Sequence, residues 1–331
     1  MNFHAPAWLP GGHLQTIWSA KWARTEEIPP SAIRRERLET PDGDFIDVDW
    51  VAPAQVHDTG LRRPLLILFH GLEGSSASHY AKSFAAYAHR NGMHLALPHF
   101  RGCSGEMNRA PRAYHSGDFE EVGWVMRTLA ERTAAIRSVQ LAVGISLGGN
   151  ALLRWAVEAG AQATRWCAAM AAVSAPLDLR AGGDALGRGL SRRIYTPMFL
   201  RSMKPKALAK WDQFPGLFDR DAVRRAQTLR AFDDAFTAPL HGFKSVDDYW
   251  QRASAKPGLA AIRIPSLVLN ALNDPFVPWQ SLPQAHEVGP CVTLWQPQDG
   301  GHVGFARGAW PGHNLALAEM IVPWLRQQAD R

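Results

Sequence analysis

Short apolar segments alternate with amphipathic helical segments along most of this chain, and no other feature of the sequence restricts its fold as strongly. The run 64–69 is apolar at every position, which is typical of a strand buried on both faces of a sheet. A helix between two such strands returns the chain to its starting edge, so that successive strands run parallel. We therefore predict an α/β fold with a mostly parallel central sheet and helices on both faces.

The predicted elements follow one another in the order that this layered arrangement requires. The first two strands form a hairpin, because Asp42-Gly43 supplies the positive φ of a tight turn. The predicted strands are residues 34–40, 45–51, 64–69, 94–98, 139–144, 166–173, 265–272 and 291–295. The predicted helices are residues 79–91, 118–132, 151–159 and 314–327.

The interval between the predicted strands 166–173 and 265–272 breaks the alternation of strands and helices. Residues 177–264 contain no comparable strand, so we predict a helical cap inserted into an α/β core formed by residues 1–176 and 265–331. The large apolar residues of the cap either line a site for an acyl chain or form the core of the cap itself. They are Tyr195, Met198, Phe199, Met203, Trp211, Phe214, Phe218, Phe236, Phe243, Tyr249 and Trp250.

The charge of the chain is positive but dispersed. There are 36 Lys and Arg against 30 Asp and Glu, for a net charge of +6, and the densest basic groups are the short stretches 188–193 and 204–210. Such stretches are more often the solvated face of a helix than a membrane or nucleic-acid site. We therefore predict no nucleic-acid partner, and the sequence gives no support for peripheral contact with a membrane.

The cysteine usage and the N-terminus indicate the compartment. Cys103, Cys167 and Cys291 are far apart and odd in number, so they form neither a disulfide framework nor a metal site. The N-terminus lacks the basic and apolar regions of a signal peptide, and no apolar window is long enough to span a bilayer. We expect a cytoplasmic protein that needs no cofactor and no metal.

The segment Gly144-Ile145-Ser146-Leu147-Gly148 matches the GxSxG nucleophile elbow. An apolar strand precedes it and strong helix formers follow it, which is the context that the motif requires. The glycines allow a sharp turn from strand to helix, and the turn exposes the serine hydroxyl above the sheet edge. Ser146 is therefore the predicted nucleophile, because a serine must be exposed and paired with a base to attack.

A serine nucleophile needs two donors for the oxyanion that forms on the substrate. The first predicted donor is the backbone N–H of Leu147, the residue after the nucleophile. The second should come from the loop His70-Gly71-Leu72-Glu73-Gly74, where we predict the N–H of Leu72. His70 could be taken for a catalytic base, but in this loop a structural role is the more probable interpretation.

The acid and the base are expected to follow the nucleophile in the order Asp, His. Asp274 comes directly after an apolar strand, and His302 lies in a glycine-flanked loop after the last strand. Both positions fall at the carboxyl ends of strands, where open α/β sheets bind ligands. We therefore predict Asp274 as the acid and His302 as the base.

Other carboxylates and histidines remain possible partners. Asp178 follows the preceding strand and is the rival acid, whereas Asp299 is disfavoured because it is too close to His302 along the chain. Beyond His286, the only other downstream histidine is His313, which lacks the glycine-flanked loop.

With these motifs the sequence resembles the YheT-like hydrolases, a branch of the α/β-hydrolase superfamily, over nearly its whole length. The resemblance implies a triad of Ser146, Asp274 and His302 and esterase or lipase-like activity on acyl esters of short or medium chain length. Family members often have Asp where this chain has Asn273, a change that leaves Asp274 intact. The matching segments are 12–16 (GHLQT), 70–74 (HGLEG), 91–92 (NG), 101–105 (RGCSG), 144–150 (GISLGGN), 274–276 (DPF) and 300–305 (GGHVGF).

These residues together predict a serine hydrolase that cleaves a small-molecule acyl ester through an acyl-enzyme. The same triad can serve an acyltransferase, an amidase or a thioesterase, because the fold and the triad do not determine the leaving group. A binding module that has lost its activity is a further alternative, which the complete triad disfavours. The His13-Leu14-Gln15-Thr16 segment has no role that follows from the sequence.

Overall fold

A computed structural model describes residues 2–54, 64–134 and 138–330 of the chain. Its strands are β1 (Ile33–Glu39), β2 (Phe45–Val51), β3 (Leu65–Phe69), β4 (His94–Pro98), β5 (Gln140–Ile145), β6 (Ala169–Val173), β7 (Ser266–Leu269) and β8 (Val292–Trp295). They form one sheet in the order β1-β2-β4-β3-β5-β6-β7-β8. The pairs β1–β2 and β2–β4 are antiparallel, and all other neighbours are parallel. The mostly parallel sheet predicted from the sequence is confirmed.

Helices connect these strands and cover the sheet. They are α1 (Gly12–Lys21), α2 (His79–Arg90), α3 (Phe119–Thr133), α4 (Leu147–Ala159), α5 (Leu179–Leu186), α6 (Gly189–Gln213), α7 (Arg220–Arg225), α8 (Leu229–Phe232), α9 (Ala238–Leu240), α10 (Val246–Ala253) and α11 (Ala316–Ala329). A π-helical turn at Asp233–Thr237 joins α8 to α9. Within the described ranges, none of the helices combines the length and the apolar composition that crossing a bilayer requires.

Most predicted elements are present with small shifts of their ends. Two predicted strands, 166–173 and 265–272, are too long by several residues, and four others extend by one residue beyond an end of the observed strand. Residues 166–168 precede β6, because Trp166 ends a 3₁₀ helix that spans Gly160–Arg165. Residues 270–272 follow β7 and belong to the loop towards Asp274, and Cys291 precedes β8. Helix α1 was not predicted.

Alternate residues of the central strands point into two separate apolar layers. Leu65, Ile67 and Phe69 of β3 pack with apolar residues of α3 and α4, whereas Leu66 and Leu68 pack with those of α2 and α11. Successive side chains of a strand point to opposite faces, so a strand between two helical layers must be apolar throughout. The two layers fix β3, β5, β6 and β7 in the interior and bring their carboxyl ends to one edge.

The chain between β6 and β7 is helical over most of its length. It contains α5 to α10 and, among the described residues, no strand of the sheet. Tyr195, Phe218, Phe232 and Phe236 of this segment form an apolar cluster that also includes Phe276 and other residues after β7. The division into a core (1–176 and 265–331) and a cap (177–264) stays a prediction.

Candidate active site

Ser146 lies at the turn between β5 and α4. Its backbone has φ 52° and ψ −118°, a conformation that residues other than glycine rarely adopt. Ser146 N donates to Val173 O of β6 at 2.8 Å, and Ser146 O accepts from Gly149 N at 2.9 Å. The neighbouring strand and the first turn of α4 therefore hold the strained residue, with the positive end of the helix dipole beneath it.

Close backbone contacts explain the glycines around this serine. A Cβ atom added to Gly148 would lie 2.5 Å from His70 O, and one added to Gly144 would lie 2.5 Å from Gly148 O. A Cβ atom on Gly71 would lie 3.2 Å from the Ser146 Cβ. The strand, the elbow and the loop after β3 can thus approach one another only because these residues lack side chains.

The imidazole of His302 lies between the Ser146 hydroxyl and the Asp274 carboxylate. His302 Nε2 is 2.9 Å from Ser146 Oγ, and His302 Nδ1 is 2.9 Å from Asp274 Oδ2. The His302 side chain is 10% exposed and the Asp274 side chain is 0% exposed. The three residues predicted from the sequence are therefore connected by two hydrogen bonds in a site that is largely shielded from water.

Backbone amides and a neighbouring ring fix the orientation of the acid and the imidazole. Asp274 Oδ1 accepts from Phe276 N at 2.7 Å and from Val277 N at 3.3 Å, which leaves Oδ2 for the imidazole. The Phe276 ring stacks on the His302 ring with a centroid distance of 4.0 Å. The two amides restrict rotation of the Asp274 carboxyl group, and the stacked ring restricts the tilt of the His302 imidazole.

The rival acids have other partners. Asp178 precedes α5 and accepts from Ala181 N at 3.0 Å, so it caps that helix. Asp299 Oδ1 accepts from Gln15 Nε2 and its Oδ2 accepts from Ala5 N, so its carboxylate binds the N-terminal segment.

Neither rival histidine contacts the site. His286 lies in an exposed 3₁₀ turn. His313 forms backbone bridges with Arg24 and Arg307, away from Ser146.

His70 is a structural residue of the loop after β3. Its side chain is fully buried, its Nδ1 donates to Gly71 O at 2.7 Å, and its Nε2 accepts from Phe100 N at 3.0 Å. Burial lowers the pKa of His70 to about 3, so that the ring is neutral and its Nε2 remains an acceptor. Both nitrogens are occupied, and His70 therefore has no free nitrogen with which to take a proton from Ser146.

Leu72 and Leu147, the predicted oxyanion donors, both line the pocket that contains Ser146 and His302. The amides around Leu72 are occupied, because Gly71 N donates to the Tyr80 hydroxyl and Glu73 N donates to the Tyr114 hydroxyl. Leu147 is the first residue of α4, where helix amides have no intrahelical partner. The role of both N–H groups as oxyanion donors stays a prediction.

Comparison with known proteins identifies the family. Residues 64–309 match the sequence model of the alpha/beta hydrolase fold family. This chain belongs to the α/β-hydrolase family. It is a hydrolase.

Similar proteins extend this family assignment over almost the whole hydrolase. The chain is 37% identical to "Putative esterase YheT" of Escherichia coli (strain K12) over 319 residues, which cover 95% of this chain and 89% of that protein. It is 28% identical to "Phospholipase ABHD3" of Homo sapiens, over 91% of this chain and 74% of that protein. The resemblance to the YheT-like branch is confirmed.

Solved structures confirm the fold. The Pyrococcus furiosus esterase Pf2001 matches with a TM-score of 0.53 and 14% identity, over 93% of this chain and 96% of that chain. Est1E from Butyrivibrio proteoclasticus matches with a TM-score of 0.52 and 15% identity, over 90% of this chain and 99% of that chain.

The pocket of this hydrolase is mostly apolar and is roofed by the helices between β6 and β7. Five of the apolar residues that the sequence analysis named line it, whereas Tyr195 and Phe218 pack inside the helical segment and Met198 is exposed. Some members of the set are therefore core residues of the helical segment, whereas the role of the pocket-lining members in binding an acyl chain stays a prediction. The five are Phe199, Met203, Phe236, Tyr249 and Trp250.

Burial shifts the pKa values of two polar groups in the pocket wall, Asp233 and His115. The pKa of Asp233 is raised to about 6 by burial, and its Oδ2 accepts from Trp250 Nε1 at 2.9 Å. Burial lowers the pKa of His115, so that its imidazole is neutral at pH 7.

An ion pair joins the loop after β3 to helix α6. Lys206 Nζ is 2.9 Å from Glu73 Oε2, and Glu73 Oε1 accepts from the Tyr114 hydroxyl at 2.8 Å. Glu73 has a positive φ of 56° and directly follows Leu72. The pair therefore restrains the backbone that carries one predicted oxyanion donor.

Helix α1 contains two polar residues whose contacts the sequence analysis did not predict. Gln15 Oε1 accepts from Gly300 N at 2.8 Å and from Asn273 Nδ2 at 3.0 Å. Thr16 Oγ1 accepts from His302 N at 2.8 Å. The only signal for these contacts was the family resemblance of the segment 12–16, which gives no indication of what the residues touch.

Proposed function

We propose that this hydrolase cleaves carboxylic esters of short to medium acyl chain length through an acyl-enzyme on Ser146. The observation that carries the proposal is the hydrogen-bonded series Ser146–His302–Asp274, with distances of 2.9 Å at both steps. The cytoplasm remains the predicted compartment, because the three separated cysteines give no disulfide framework.

The first half of the reaction forms the acyl-enzyme. His302 Nε2 takes the proton of the Ser146 hydroxyl while Oγ attacks the ester carbonyl carbon. Asp274 holds the proton on Nδ1, so that Nε2 is an acceptor, and then stabilises the imidazolium. The N–H groups of Leu72 and Leu147 bind the oxyanion, and Nε2 returns the proton to the alcohol that leaves.

The second half releases the acid. Water occupies the place of the departed alcohol, gives a proton to His302 Nε2 and attacks the acyl carbon. Collapse of this second tetrahedral intermediate breaks the bond to Ser146 Oγ, which regains its proton. An alcohol in place of water would form a new ester, so acyl transfer uses the same residues.

Two observations favour esters with an apolar acyl group. The pocket beside Ser146 is lined by apolar side chains such as Phe199, Met203 and Phe276. Two of the relatives carry the names esterase and phospholipase, and both names describe ester cleavage. The moderate volume of a short or medium acyl chain suits a pocket enclosed by helices.

A substrate series tests the proposal. We expect kcat/KM for p-nitrophenyl esters to rise from acetyl to a short or medium acyl chain and then to fall for long chains. Matched anilides and thioesters should be turned over at least about tenfold more slowly, which corresponds to a difference of about 1.4 kcal/mol in activation free energy. Faster turnover of an anilide or a thioester than of its matched ester would contradict the ester assignment, and the Ser146→Ala protein provides the blank.

A further inference from the structure

Helix α6 lies in a stretch of the chain that is rich in basic residues. Between Asp184 and Asp212 there are basic residues but no acidic residue. The three lysines of this stretch are engaged with the protein: Lys204 Nζ donates to Arg224 O, Lys206 pairs with Glu73, and Lys210 Nζ donates to Asn108 O. The four arginines, Arg188, Arg192, Arg193 and Arg201, are exposed and have no carboxylate partner among the described residues.

Three apolar residues in the N-terminal half of α6 are exposed to water. Leu190 is 57% exposed, Ile194 is 41% exposed and Met198 is 49% exposed. Their spacing of four residues places them on one side of the helix, and we call them the α6 stripe. Arg201 continues this side one turn further, Arg193 is adjacent to Ile194, and Arg192 and Arg193 line a shallow depression together with Leu190. The stripe is thus bordered by unpaired guanidinium groups.

We propose that the α6 stripe docks on an anionic phospholipid surface. Apolar side chains bordered by cations are the pattern of a helix that lies in the membrane interface, with the apolar groups at the acyl boundary and the cations among phosphates. Arginine favours phosphate because its planar guanidinium donates two parallel hydrogen bonds. A nucleic acid would satisfy the arginines but would leave the stripe exposed to water.

A different side of α6, roughly a third of a turn from the stripe, faces the pocket. Phe199 and Met203 line the pocket that contains Ser146, and the Tyr195 ring contacts the Phe276 ring at a centroid distance of 4.5 Å. Ser191 Oγ donates to Pro275 O, next to Asp274. Docking of the stripe would therefore bring one wall of the pocket to the lipid surface.

Vesicle sedimentation with the full chain tests the docking. We expect binding to vesicles of phosphatidylcholine mixed with phosphatidylglycerol, and weaker binding to phosphatidylcholine alone. Arg192→Gln/Arg193→Gln and Leu190→Gln/Met198→Gln should each weaken binding at least about tenfold. Two control variants change residues outside α6. Lys82→Gln/Arg326→Gln removes the same charge from exposed helix positions, and Ile33→Gln/Leu217→Gln removes two exposed apolar side chains. Both control variants should bind within about twofold of wild type. Thermal unfolding shows that each variant is folded.

Four results would overturn the docking proposal. Equal binding to both kinds of vesicle would show that anionic lipid is not recognised. Unchanged binding of the two α6 variants would show that the α6 stripe and its arginines are not the docking surface. Tighter binding to a DNA duplex than to the anionic vesicles, lost in Arg192→Gln/Arg193→Gln, would indicate a nucleic-acid site instead. A concentration-dependent dimer that is lost in Leu190→Gln/Met198→Gln would indicate that a second copy covers the stripe.

A different set of contacts carries a second inference, which rests on the proposed function. Gln15 and Thr16 of α1 contact the two loops that carry Asp274 and His302, and we infer that they are positioning residues for the triad. The Gln15 side chain is 0% exposed, and its Nε2 donates to Asp299 Oδ1 at 3.2 Å and to Leu9 O at 3.1 Å. Together with the two bonds accepted by Oε1, every hydrogen-bonding position of this amide is used.

The backbone of α1 also packs directly on both loops. A Cβ atom on Gly12 would lie 1.8 Å from Asn273 O, next to the acid, and one on Gly304 would lie 2.5 Å from Gln15 O. Thr16 Oγ1 accepts from the backbone N–H of His302 itself and donates to Gly12 O at 2.7 Å. Helix α1 consequently sets the position of His302 relative to Asp274.

A pair of isosteric and conservative variants tests this positioning. Thr16→Val keeps the shape of the side chain but removes the acceptor, so it should lower kcat roughly tenfold to a hundredfold with KM within about twofold. Thr16→Ser retains the hydroxyl and should recover kcat to within about threefold of wild type. Rates are measured at a temperature where both variants are fully folded, which removes losses due to stability alone.

The outcomes separate this inference from the proposed function. If Thr16→Val keeps wild-type kcat while turnover still requires Ser146, only the positioning role is refuted. A Thr16→Ser enzyme as impaired as Thr16→Val would also refute it, because the hydroxyl would then be irrelevant. Turnover that survives Ser146→Ala would refute the proposed function and the positioning role together.

Discussion

Replacing Ser146 by alanine is expected to lower kcat for ester hydrolysis about a million-fold, a larger loss than that expected from any change of the triad acid. The substitution removes the atom that forms the acyl-enzyme, while the oxyanion donors and the pocket remain. These supply only a residual acceleration of about 1,000-fold to 10,000-fold over the reaction in water. Initial rates with the best p-nitrophenyl ester measure the loss, and KM should stay within about threefold.

A second pocket serine provides the matched control. Ser116 lines the same pocket, and its backbone amide and carbonyl contact Tyr249 and Asn150, which an alanine retains; only the hydrogen bond of its side chain to Tyr249 is lost. Ser116→Ala should therefore keep kcat within about threefold of wild type. A loss of less than about a hundredfold in Ser146→Ala would contradict Ser146 as the nucleophile, because a covalent step cannot be replaced so cheaply.

The fold could be predicted because each layer leaves a periodic trace in the sequence. Strand β3 is apolar at every position since both of its faces are covered, and the Asp42-Gly43 turn identifies the hairpin before it. The ends of β6 and β7 were harder to place. Their apolar runs continue into loops that are also buried, as at Ala271, so the composition does not change where the strand ends.

The triad was accessible from the sequence for a different reason. Ser146, Asp274 and His302 each follow a strand, and parallel strands bring their carboxyl ends to one edge whatever the length of chain between them. Gln15 and Thr16 have no such link. Their partners are backbone amides about 285 residues further along the chain, and a backbone amide gives the sequence no signature of its partner.

The apolar residues of α6 show where a pattern of composition stops being informative. Met198 and Phe199 are adjacent, yet one is exposed and the other lines the pocket. A helix of this length has several possible apolar faces, and the packing of α6 against Phe276 and its neighbours selects one of them. The sequence therefore identified a group of apolar candidates, but it did not show which of them line the pocket.

Asp274→Asn is expected to lower kcat about 10,000-fold, a smaller loss than that of the nucleophile. Asp274 Oδ1 accepts from Phe276 N and Val277 N, so the oxygen of the new amide must remain there and its NH₂ group replaces Oδ2. That group then donates to His302 Nδ1, which shifts the imidazole proton to Nε2. An Nε2–H group facing Ser146 Oγ cannot accept the serine proton, although the shape of the site is unchanged.

Asp178→Asn tests the same chemistry at the rival acid. Asparagine caps a helix as well as aspartate does, so the hydrogen bond from Ala181 N is preserved and kcat should stay within about threefold of wild type. Steady-state kinetics on both variants give the comparison, and KM should change little in either because substrate binding does not depend on the tautomer. If the loss in Asp274→Asn is less than about tenfold, or if Asp178→Asn loses as much, the acid has been assigned to the wrong residue. If the imidazole tautomer matters, kcat should fall strongly in Asp274→Asn and hardly at all in Asp178→Asn. The reason is that Asp274 Oδ2 bonds His302 Nδ1 and no backbone amide, whereas Asp274 Oδ1 is used by two backbone amides.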